Sequence, residues 1–316
     1  MRPWKKGILL SSLFLFLPSC SSTHYKDISY AYGTEFTYHL FEGGQSDIDD
    51  LIAITSRTSY ACDKEAISNA KGIGRINDKG SAIVEDWLLD ELKLGVRLTE
   101  VTHGYFSLFC GGLTDLWLTN LNNEKVPLST EIAAEVALIS QTRLEFNGNE
   151  VTKIGDAKLD LGGLGKGYCL EMLKTELKAK NISRYWVSGG GSSISFGENP
   201  NGKDMKTEVE FEALSGNHIY LKNTSISTSS CLKQLYNIDG KRYSHIVNPF
   251  SGSAEVDIDA VIAIGDNAAV IDALSTAVYL EGDVHIKDYE KEFETKFLLV
   301  KNQEIIYRSD GIEVEG

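Results

Sequence analysis

The chain of 316 residues has little proline, little cysteine and a shortage of positive charge. Its five prolines argue against proline-rich linkers and leave the tight turns to 29 glycines. Hydrophobic residues make up 42% and charged residues 24%, which argues against a disordered chain and against a membrane protein with many spans. Acidic residues outnumber Lys and Arg by 45 to 31, for a formal net charge of −14. Such an acidic chain lacks the basic face that nucleic acid requires, so no nucleic-acid partner is expected.

The N-terminus carries the pattern of a secretion signal. Three positive charges precede the one long apolar run, at 7–17, which is too short for a membrane-spanning helix. Leu17-Pro18-Ser19-Cys20 resembles a bacterial lipobox, which predicts a lipoprotein signal peptide over 1–19 and acylation of Cys20. A secreted protein cut elsewhere, or a signal anchor, is the alternative.

The predicted signal peptide implies that the rest of the chain functions outside the cytoplasm, where disulfides persist. Its four remaining cysteines are widely spaced, which gives no zinc pattern and leaves their pairing open. Residues 20–31 include a polar stretch and are predicted to be a tether. No repeat, low-complexity tract or linker interrupts 32–316, so we expect a single domain there.

Hydrophobic periodicity predicts the main elements. Apolar residues at spacings of three and four predict helices over 81–98 and 164–180. Acidic residues at the start predict a helix over 47–56, a high content of Ala and Glu predicts one over 130–140, and a last helix is predicted over 267–280. Alternating runs separated by Gly, Asn and Ser predict antiparallel strands at 29–40 and from 185 to 261, with two more at 297–301 and 304–308. Strands in runs with segregated helices favour an α+β fold over a doubly wound sheet.

The most informative stretch is Asp160-Leu-Gly-Gly-Leu-Gly-Lys-Gly-Tyr168, here called the glycine turn. Glycines before a helix let backbone N–H groups approach a phosphate, and the helix N-terminus favours negative charge. The pattern is neither a Walker loop nor the dinucleotide motif of a βαβ unit. Taken alone, such a turn is more often structural. The cluster Gly189-Gly-Gly-Ser-Ser193 is either a turn after a strand or a second wall against a ligand.

Two later segments offer groups for catalysis and metal binding. His245 lies in His245-Ile-Val-Asn-Pro249, and histidine's usual pKa of about 6.5 suits a general base. Asp272 and Thr276 are four residues apart on a predicted helix, so their oxygens face one side and suit a hard cation such as Mg²⁺. Structural explanations are also open: a surface or hydrogen-bonded histidine, and a carboxylate that stabilises the helix dipole.

In their order along the chain, these segments resemble the ApbE-like flavin transferases, the FAD:protein FMN transferases. The matching segments are Tyr32-Gly-Thr34, Gly104-Tyr-Phe-Ser107, the glycine turn, the Gly189 cluster, Thr228-Ser-Ser230, the segment from His245 to Gly252 and the segment from Asp272 to Gly282. The resemblance implies an ApbE-like α+β fold with the active site between two lobes. It also implies Mg²⁺-dependent transfer of the FMN moiety of FAD to a Thr or Ser hydroxyl of an acceptor protein, with release of AMP.

The resemblance also assigns roles to single residues. His245 falls at the position of the family's catalytic base. Asp272 and Thr276 fall at its metal-binding side chains, and Gly163 at the position that lends a backbone carbonyl to the metal. The positions that contact or line FAD are those of Tyr32, Tyr60, Tyr105, Phe106, Ser107, Asp160, Lys166 and Val247.

The chain departs from the family pattern in ways that keep other functions open. Ser107 and Asn248 stand where the family usually has Asp, Tyr32 where it often has Met, and Ser230 where it has Gly. Because two carboxylates are lost, a lipid-anchored FAD-binding protein without transferase activity remains an alternative. An FAD pyrophosphatase, which would use the same metal but water as the nucleophile, is another. A periplasmic solute-binding lipoprotein is a more distant one, since it would not need the predicted base and metal residues.

The resemblance further implies a particular kind of acceptor. It would be a membrane-bound electron-transport subunit of the Na⁺-pumping quinone reductase or Rnf type. Together with the lipobox, this predicts a protein of the bacterial cell envelope, held by lipid on the periplasmic side of a membrane.

The lipid anchor leads to a direct prediction. Cys20→Ser removes the thiol that would be acylated, so we expect the variant to move from the membrane fraction to the soluble fraction. Mass spectrometry of the mature wild-type protein checks the modification itself. A mature chain that carries an unmodified Cys20 contradicts the prediction.

Overall fold

The computed structural model describes residues 24–201, 205–208, 218–221, 223–232 and 234–315. The predicted signal peptide and Cys20 lie outside the described residues. The helices are α1 (Gln45–Cys62), α2 (Ile73–Lys79), α3 (Asp86–Val101), α4 (Gly111–Leu121), α5 (Ser129–Gln141), α6 (Gly165–Ala179), α7 (Ala268–Glu281) and α8 (Ile286–Phe293). The strands are β1 (Tyr25–Ala31), β2 (Thr34–Leu40), β3 (Ser81–Ile83), β4 (Arg143–Asn147), β5 (Glu150–Ile154), β6 (Tyr185–Gly189), β7 (Ser193–Phe196), β8 (Met205–Glu208), β9 (His218–Leu221), β10 (Thr224–Ser230), β11 (Tyr236–Ile238), β12 (Lys241–Tyr243), β13 (Ala260–Gly265), β14 (Lys296–Lys301), β15 (Glu304–Arg308) and β16 (Val314–Glu315).

Eight strands form the central sheet, in the spatial order β1-β2-β6-β7-β10-β13-β14-β15, and each neighbouring pair is antiparallel. The β6–β7 hairpin turns at Gly190 and Gly191, whose φ angles of +64° and +70° favour glycine. The turn of this hairpin is formed by the Gly189 cluster of the sequence. Smaller sheets are β3-β5-β4 and β16-β9-β8, and β11 pairs with β12. The α+β prediction with antiparallel sheets and segregated helices is confirmed.

Both faces of the central sheet are covered, because every residue of the inner strands β6, β7 and β13 is buried and successive side chains point to opposite faces. In β13, Val261 belongs to the core that includes α3 and α7, whereas its neighbour Ile262 belongs to the core on the other face. That second core also takes in Ile219 of β9. A third core joins β1 and β2 to α1 and α6. Helix α7 is therefore enclosed on nearly all sides, and most of its residues are buried.

Three predictions need correction in the described residues. The tether over 20–31 is wrong from Tyr25 onward, because Tyr25–Ala31 forms β1 and pairs along its whole length with β2. The helix predicted over 81–98 begins later, at Asp86, since Ser81–Ile83 is an edge strand paired with β5. Helix α1 runs on to Cys62, beyond the predicted end at 56. Helices α2, α4 and α8 were not predicted.

The four cysteines of the described chain are free thiols, and Cys62, Cys169 and Cys231 are buried. Within the described residues, no helix is both long enough and apolar enough to cross a membrane.

The approach of α6 to α7 depends on Gly167. A Cβ atom built there would lie 2.7 Å from Cβ of Asp272 and would clash with the backbone carbonyl oxygen of Ala268. Helix propensity alone favours alanine over glycine by about 1 kcal/mol. We nevertheless expect Gly167→Ala to lower the free energy of unfolding by about 1–3 kcal/mol, because it forces the two helices apart. Chemical denaturation measures this, and an alanine variant as stable as the wild type would contradict it.

Candidate active site

The glycine turn is shaped by its first residue, Asp160. Its Oδ1 accepts a hydrogen bond from the backbone N–H of Gly162 at 2.7 Å, and its Oδ2 pairs with Nζ of Lys64 at 2.7 Å. Helix α6 then begins at Gly165 with no side-chain cap from the preceding Leu164. The predicted FAD-contacting carboxylate therefore holds the turn in shape. Among the first N–H groups of α6, those of Gly165 and Tyr168 donate to the carbonyl oxygens of Leu161 and Leu164 within the turn, at 2.7 and 2.9 Å, and the remaining ones need other partners.

One of those N–H groups meets Asp272 of α7. The backbone N–H of Gly167 donates to Asp272 Oδ2 at 2.9 Å, while Ser227 and Ser193 donate to Oδ1 at 2.6 and 3.2 Å. The carboxylate is 5% exposed. A helix N-terminus carries partial positive charge, so a carboxylate is stabilised there even when buried. Asp272 thus caps α6 from a different helix.

Thr276 lies one turn further along α7, against the same glycine turn. Its Oγ1 is 3.3 Å from the point that a Cβ atom on Gly163 would occupy, and a ring carbon of Phe106 is at the same distance from that point. The Thr276 hydroxyl also lies 3.2 Å from Oγ of Ser229. The structure therefore brings the three predicted metal-binding residues together, with no side chain on Gly163 between its backbone and α7.

This donor set fits Mg²⁺ chemically. It consists of a carboxylate, a hydroxyl and a backbone carbonyl, and Mg²⁺ prefers oxygen. In the part of the chain that the structure describes, no group of three or more His, Cys, Asp or Glu could hold a metal. Asp160 is paired with Lys64, so a cation held between the glycine turn and α7 would take its carboxylate from Asp272 and further oxygens from a substrate or water.

His245 lies next to the glycine turn and is uncharged at neutral pH. Burial, together with the nearby positive charge of Lys166, lowers the pKa of His245 from 6.5 to about 4. Its Nδ1 is buried with no hydrogen-bond partner among the described residues. Lys166 in turn reaches back to the carbonyl oxygen of Gly162 at 3.5 Å. A neutral imidazole with an unsatisfied nitrogen can accept a proton or a hydrogen bond from a ligand.

Tyr32 lies under the start of α6, with its hydroxyl directed inward. Its ring carbon Cε1 is 3.0 Å from the point that a Cβ atom on Gly165 would occupy, and its hydroxyl is 3.9 Å from Sγ of Cys62. Its φ of +53° is held by the N–H bond to Oγ of Ser59 at 2.7 Å. Burial raises the pKa of Tyr32 well above its usual value. Tyr32 therefore supports the glycine turn from the core side.

Glu91 of α3 is a buried carboxyl group close to Tyr32 and to the start of α6. The sequence analysis did not identify it. It has no exposed surface; Cys62 donates to its Oε2 at 3.3 Å, and its Oε1 has no partner among the described residues. Burial raises the pKa of Glu91 to about 8. Helical spacing could have indicated that Glu91 is buried. Glu91 follows Leu88 by three residues and directly precedes Leu92, and both leucines lie on the buried face of α3.

Ser107 and Asn248, which stand where the family usually has Asp, both accept backbone hydrogen bonds through a side-chain oxygen, as a carboxylate can. Oγ of Ser107 accepts the backbone N–H of Phe109 at 3.2 Å. Oδ1 of Asn248 accepts the N–H groups of Phe250 and Ser251 at 2.9 and 3.0 Å. In both turns a side-chain oxygen accepts an N–H two residues ahead, as Asp, Asn and Ser all can. In this chain both turns are therefore held by a neutral side-chain oxygen.

The other predicted flavin-lining residues differ in position. Tyr105 packs edge-to-face on the exposed ring of Phe250, with centroids 5.2 Å apart, beside the His245 segment. The side chain of Val247 is buried in the core around α4, so it contributes packing. The hydroxyl of Tyr60 is bonded to Oγ of Ser68 in the loop after α1, at 3.2 Å, and its ring is half exposed.

Sequence reasoning also missed the groups that hold the acidic residues in place. A chain of alternating charges leads from the surface to the glycine turn, since Lys158 bridges Glu65 and Asp115, and Lys64 bridges Asp115 and Asp160. Nothing in the local pattern marks these partners, which come from separate segments. Ser193 and Ser227, in contrast, could have been noticed from the sequence. Each belongs to a strand with hydroxyl residues at alternate positions, a pattern that indicates one polar face of the strand.

A helix N-terminus rich in glycine, oxygen ligands beside it and a neutral histidine form a site suited to the phosphates of a nucleotide. The chain belongs to the ApbE family, whose family model matches residues 32–298. The prediction of an ApbE-like fold is thereby confirmed. The structure resembles the ApbE protein of Thermotoga maritima, with a TM-score of 0.78 and 22% identity over 91% of this chain and 97% of that one. It also resembles the flavin transferase ApbE of Vibrio cholerae, with a TM-score of 0.78 and 19% identity over 92% and 98%.

Several sequence relatives are named FAD:protein FMN transferase. The FAD:protein FMN transferase of Klebsiella pneumoniae (strain 342) is 27% identical over 216 residues, which are 63% of this chain and 60% of the relative. The chain thus matches about three fifths of that relative's length. The FAD:protein FMN transferase of Escherichia coli (strain K12) is 25% identical over 253 residues, which are 73% of this chain and 71% of the relative.

The buried carboxyl group of Glu91 predicts a pH-dependent stability. Its folded pKa of about 8 exceeds the usual 4.5, so the folded state keeps a proton that the unfolded state releases. Glu91 therefore favours unfolding progressively more as pH rises from 4.5 to 8, by up to about 1.4 kcal/mol per pH unit. We expect Glu91→Gln to stabilise the protein more at pH 8 than at pH 5. Urea unfolding at both values measures the difference; a gain that does not change with pH contradicts the assignment.

Proposed function

We propose that this protein is an FAD:protein FMN transferase, which moves the FMN moiety of FAD to a Thr or Ser hydroxyl of an acceptor protein and releases AMP. The observation that carries the proposal is the placement of Asp272 and Thr276 of α7 against the glycine turn, beside a neutral His245. The names of the sequence relatives support the same activity.

In the proposed reaction, the residues of the candidate site have the following roles. The acceptor oxygen bonds to the FMN phosphorus while the bond from that phosphorus to the bridging pyrophosphate oxygen breaks, and AMP leaves with that oxygen. The proton of the hydroxyl passes to the imidazole of His245, which is uncharged at neutral pH. Lys166 lies close enough to His245 to lower its pKa, so a phosphate bound near Lys166 would raise that pKa again.

Mg²⁺ would be held by Asp272, Thr276 and the carbonyl of Gly163, and it would neutralise charge on the pyrophosphate. The N-terminus of α6 adds partial positive charge on the same side. Tyr105 and Phe106 are positioned next to this turn and to the His245 segment, where the flavin is expected to lie.

The proposal extends to where the reaction takes place. The lipobox pattern supports a lipid anchor at Cys20 and a place on the periplasmic side of the cell envelope. The acceptor would then be a membrane-bound electron-transport subunit exposed on that side, of the Na⁺-pumping quinone reductase or Rnf type.

The catalytic role of His245 is the most direct test. His245→Ala removes the base, so we expect single-turnover transfer from FAD to an acceptor domain to slow by about 10²–10⁴-fold while FAD binding persists. The transfer is followed by in-gel flavin fluorescence of the acceptor, and the dissociation constant of FAD by equilibrium titration. His103→Ala is the control. His103 is an exposed histidine two residues before Tyr105, and no catalytic role is assigned to it.

Several outcomes distinguish the possible functions. Transfer within a few-fold of wild type in His245→Ala would mean that the base lies elsewhere, and loss of FAD binding would make His245 a binding residue. Free FMN and AMP with an unlabelled acceptor would identify a pyrophosphatase with water as nucleophile. Bound FAD that stays intact in the wild type would identify a carrier.

A further inference from the structure

A layer of buried hydroxyl groups separates the central sheet from α7. Ser225 and Ser227 lie two residues apart on β10, so their side chains point to the same face, and each is at most 1% exposed. Oγ of Ser227 bonds Asp272 Oδ1 at 2.6 Å, whereas Oγ of Ser225 bonds Oγ of Ser195 at 3.3 Å. Two serines of equal burial on one strand thus have different partners, and one of them is the predicted metal-binding carboxylate.

The hydrogen bonds to Asp272 leave one oxygen available. A carboxylate has two oxygens with two lone pairs each. Oδ1 accepts from both Ser227 and Ser193, which uses its two lone pairs, whereas Oδ2 accepts from the N–H of Gly167 and keeps one. A cation that binds this carboxylate with its present hydrogen bonds intact must therefore bind Oδ2 alone.

The same layer extends to the second metal-binding side chain. Ser229, the next alternate residue of β10, lies 3.2 Å from Oγ1 of Thr276 and 2.8 Å from Oγ of Ser275. Strand β10 therefore contacts both proposed side-chain ligands through hydroxyl groups. Since strands of a central sheet are held on both sides, these hydroxyls are fixed in position by a rigid element.

We propose that Ser227 and Ser193 are positioning residues for the cation: they hold Oδ1 of Asp272 so that Oδ2 faces the glycine turn as a single-oxygen ligand. The proposal rests on the proposed function, because it concerns the cation of that reaction. Groups that orient a ligand in this way typically change metal affinity by about 10- to 100-fold when they are removed.

Mn²⁺ is the probe for the test, since its electron paramagnetic resonance signal reports the free ion. Titration of FAD-saturated protein gives a dissociation constant without any turnover. We expect Ser227→Ala to raise that constant about 10-fold or more. Ser225→Ala is the matched control and should stay within about twofold of wild type, because Ser225 has the same burial, strand and chemistry but bonds Ser195.

Ser193→Ala provides a second, independent variant. Its bond to Oδ1 is longer, at 3.2 Å against 2.6 Å, so we expect a smaller rise in the Mn²⁺ dissociation constant than for Ser227→Ala. Thermal unfolding of each variant shows whether it folds, and Ser193→Ala carries the test if Ser227→Ala does not fold.

The outcomes separate this proposal from the function on which it rests. Equal Mn²⁺ affinity in Ser227→Ala and Ser225→Ala overturns the positioning role while leaving the transferase proposal intact. Wild-type protein that transfers FMN but does not bind Mn²⁺ refutes the cation assignment and this proposal with it. Wild-type protein that binds Mn²⁺ normally but transfers no FMN refutes the activity alone.

Discussion

The hydrogen bond from the backbone of Gly167 to the carboxylate of Asp272 joins the two halves of the site. A buried carboxylate is costly without partners, and this one has the Gly167 N–H in the first turn of α6 on one side and the hydroxyls of the sheet on the other. The contact requires glycine at 167, because any side chain would meet α7. This one approach of α6 to α7 brings the glycine turn next to Thr276, while the central sheet holds the serines that contact α7 from the other side.

The parts of the fold that sequence predicted are those with a regular local pattern. Helix α6 has a clear apolar repeat, and its predicted bounds, like those of α5, α7, β14 and β15, agree with the structure to within a few residues. Helix α4 follows a turn at Ser107 and α8 has only eight residues, so neither gives a long repeat. Strand β1 was mistaken for a tether because its burial alternates between half-buried and exposed, with few apolar residues.

The candidate site was predictable to the extent that its groups lie close in sequence. Asp272 and Thr276 share a helix face, and the glycine turn is continuous, so both were found. The partners of these groups come from remote strands and loops, as Lys64 does for Asp160 and Ser227 for Asp272. Tertiary packing decides such pairs, and a single sequence does not encode them in any local spacing. Val247 shows the converse, since its position in a motif gave no sign that its side chain packs into the core around α4.

The turns at Ser107 and Asn248 have a consequence for how fast a ligand arrives. Each keeps its shape through a neutral oxygen, so the rim of the site holds two fewer negative charges than a pair of aspartates would place there. The protein as a whole carries a formal charge of −14, which repels anions at long range. An anionic dinucleotide therefore approaches this rim against a weaker field, and its association rate should depend less on ionic strength than it would with both carboxylates present.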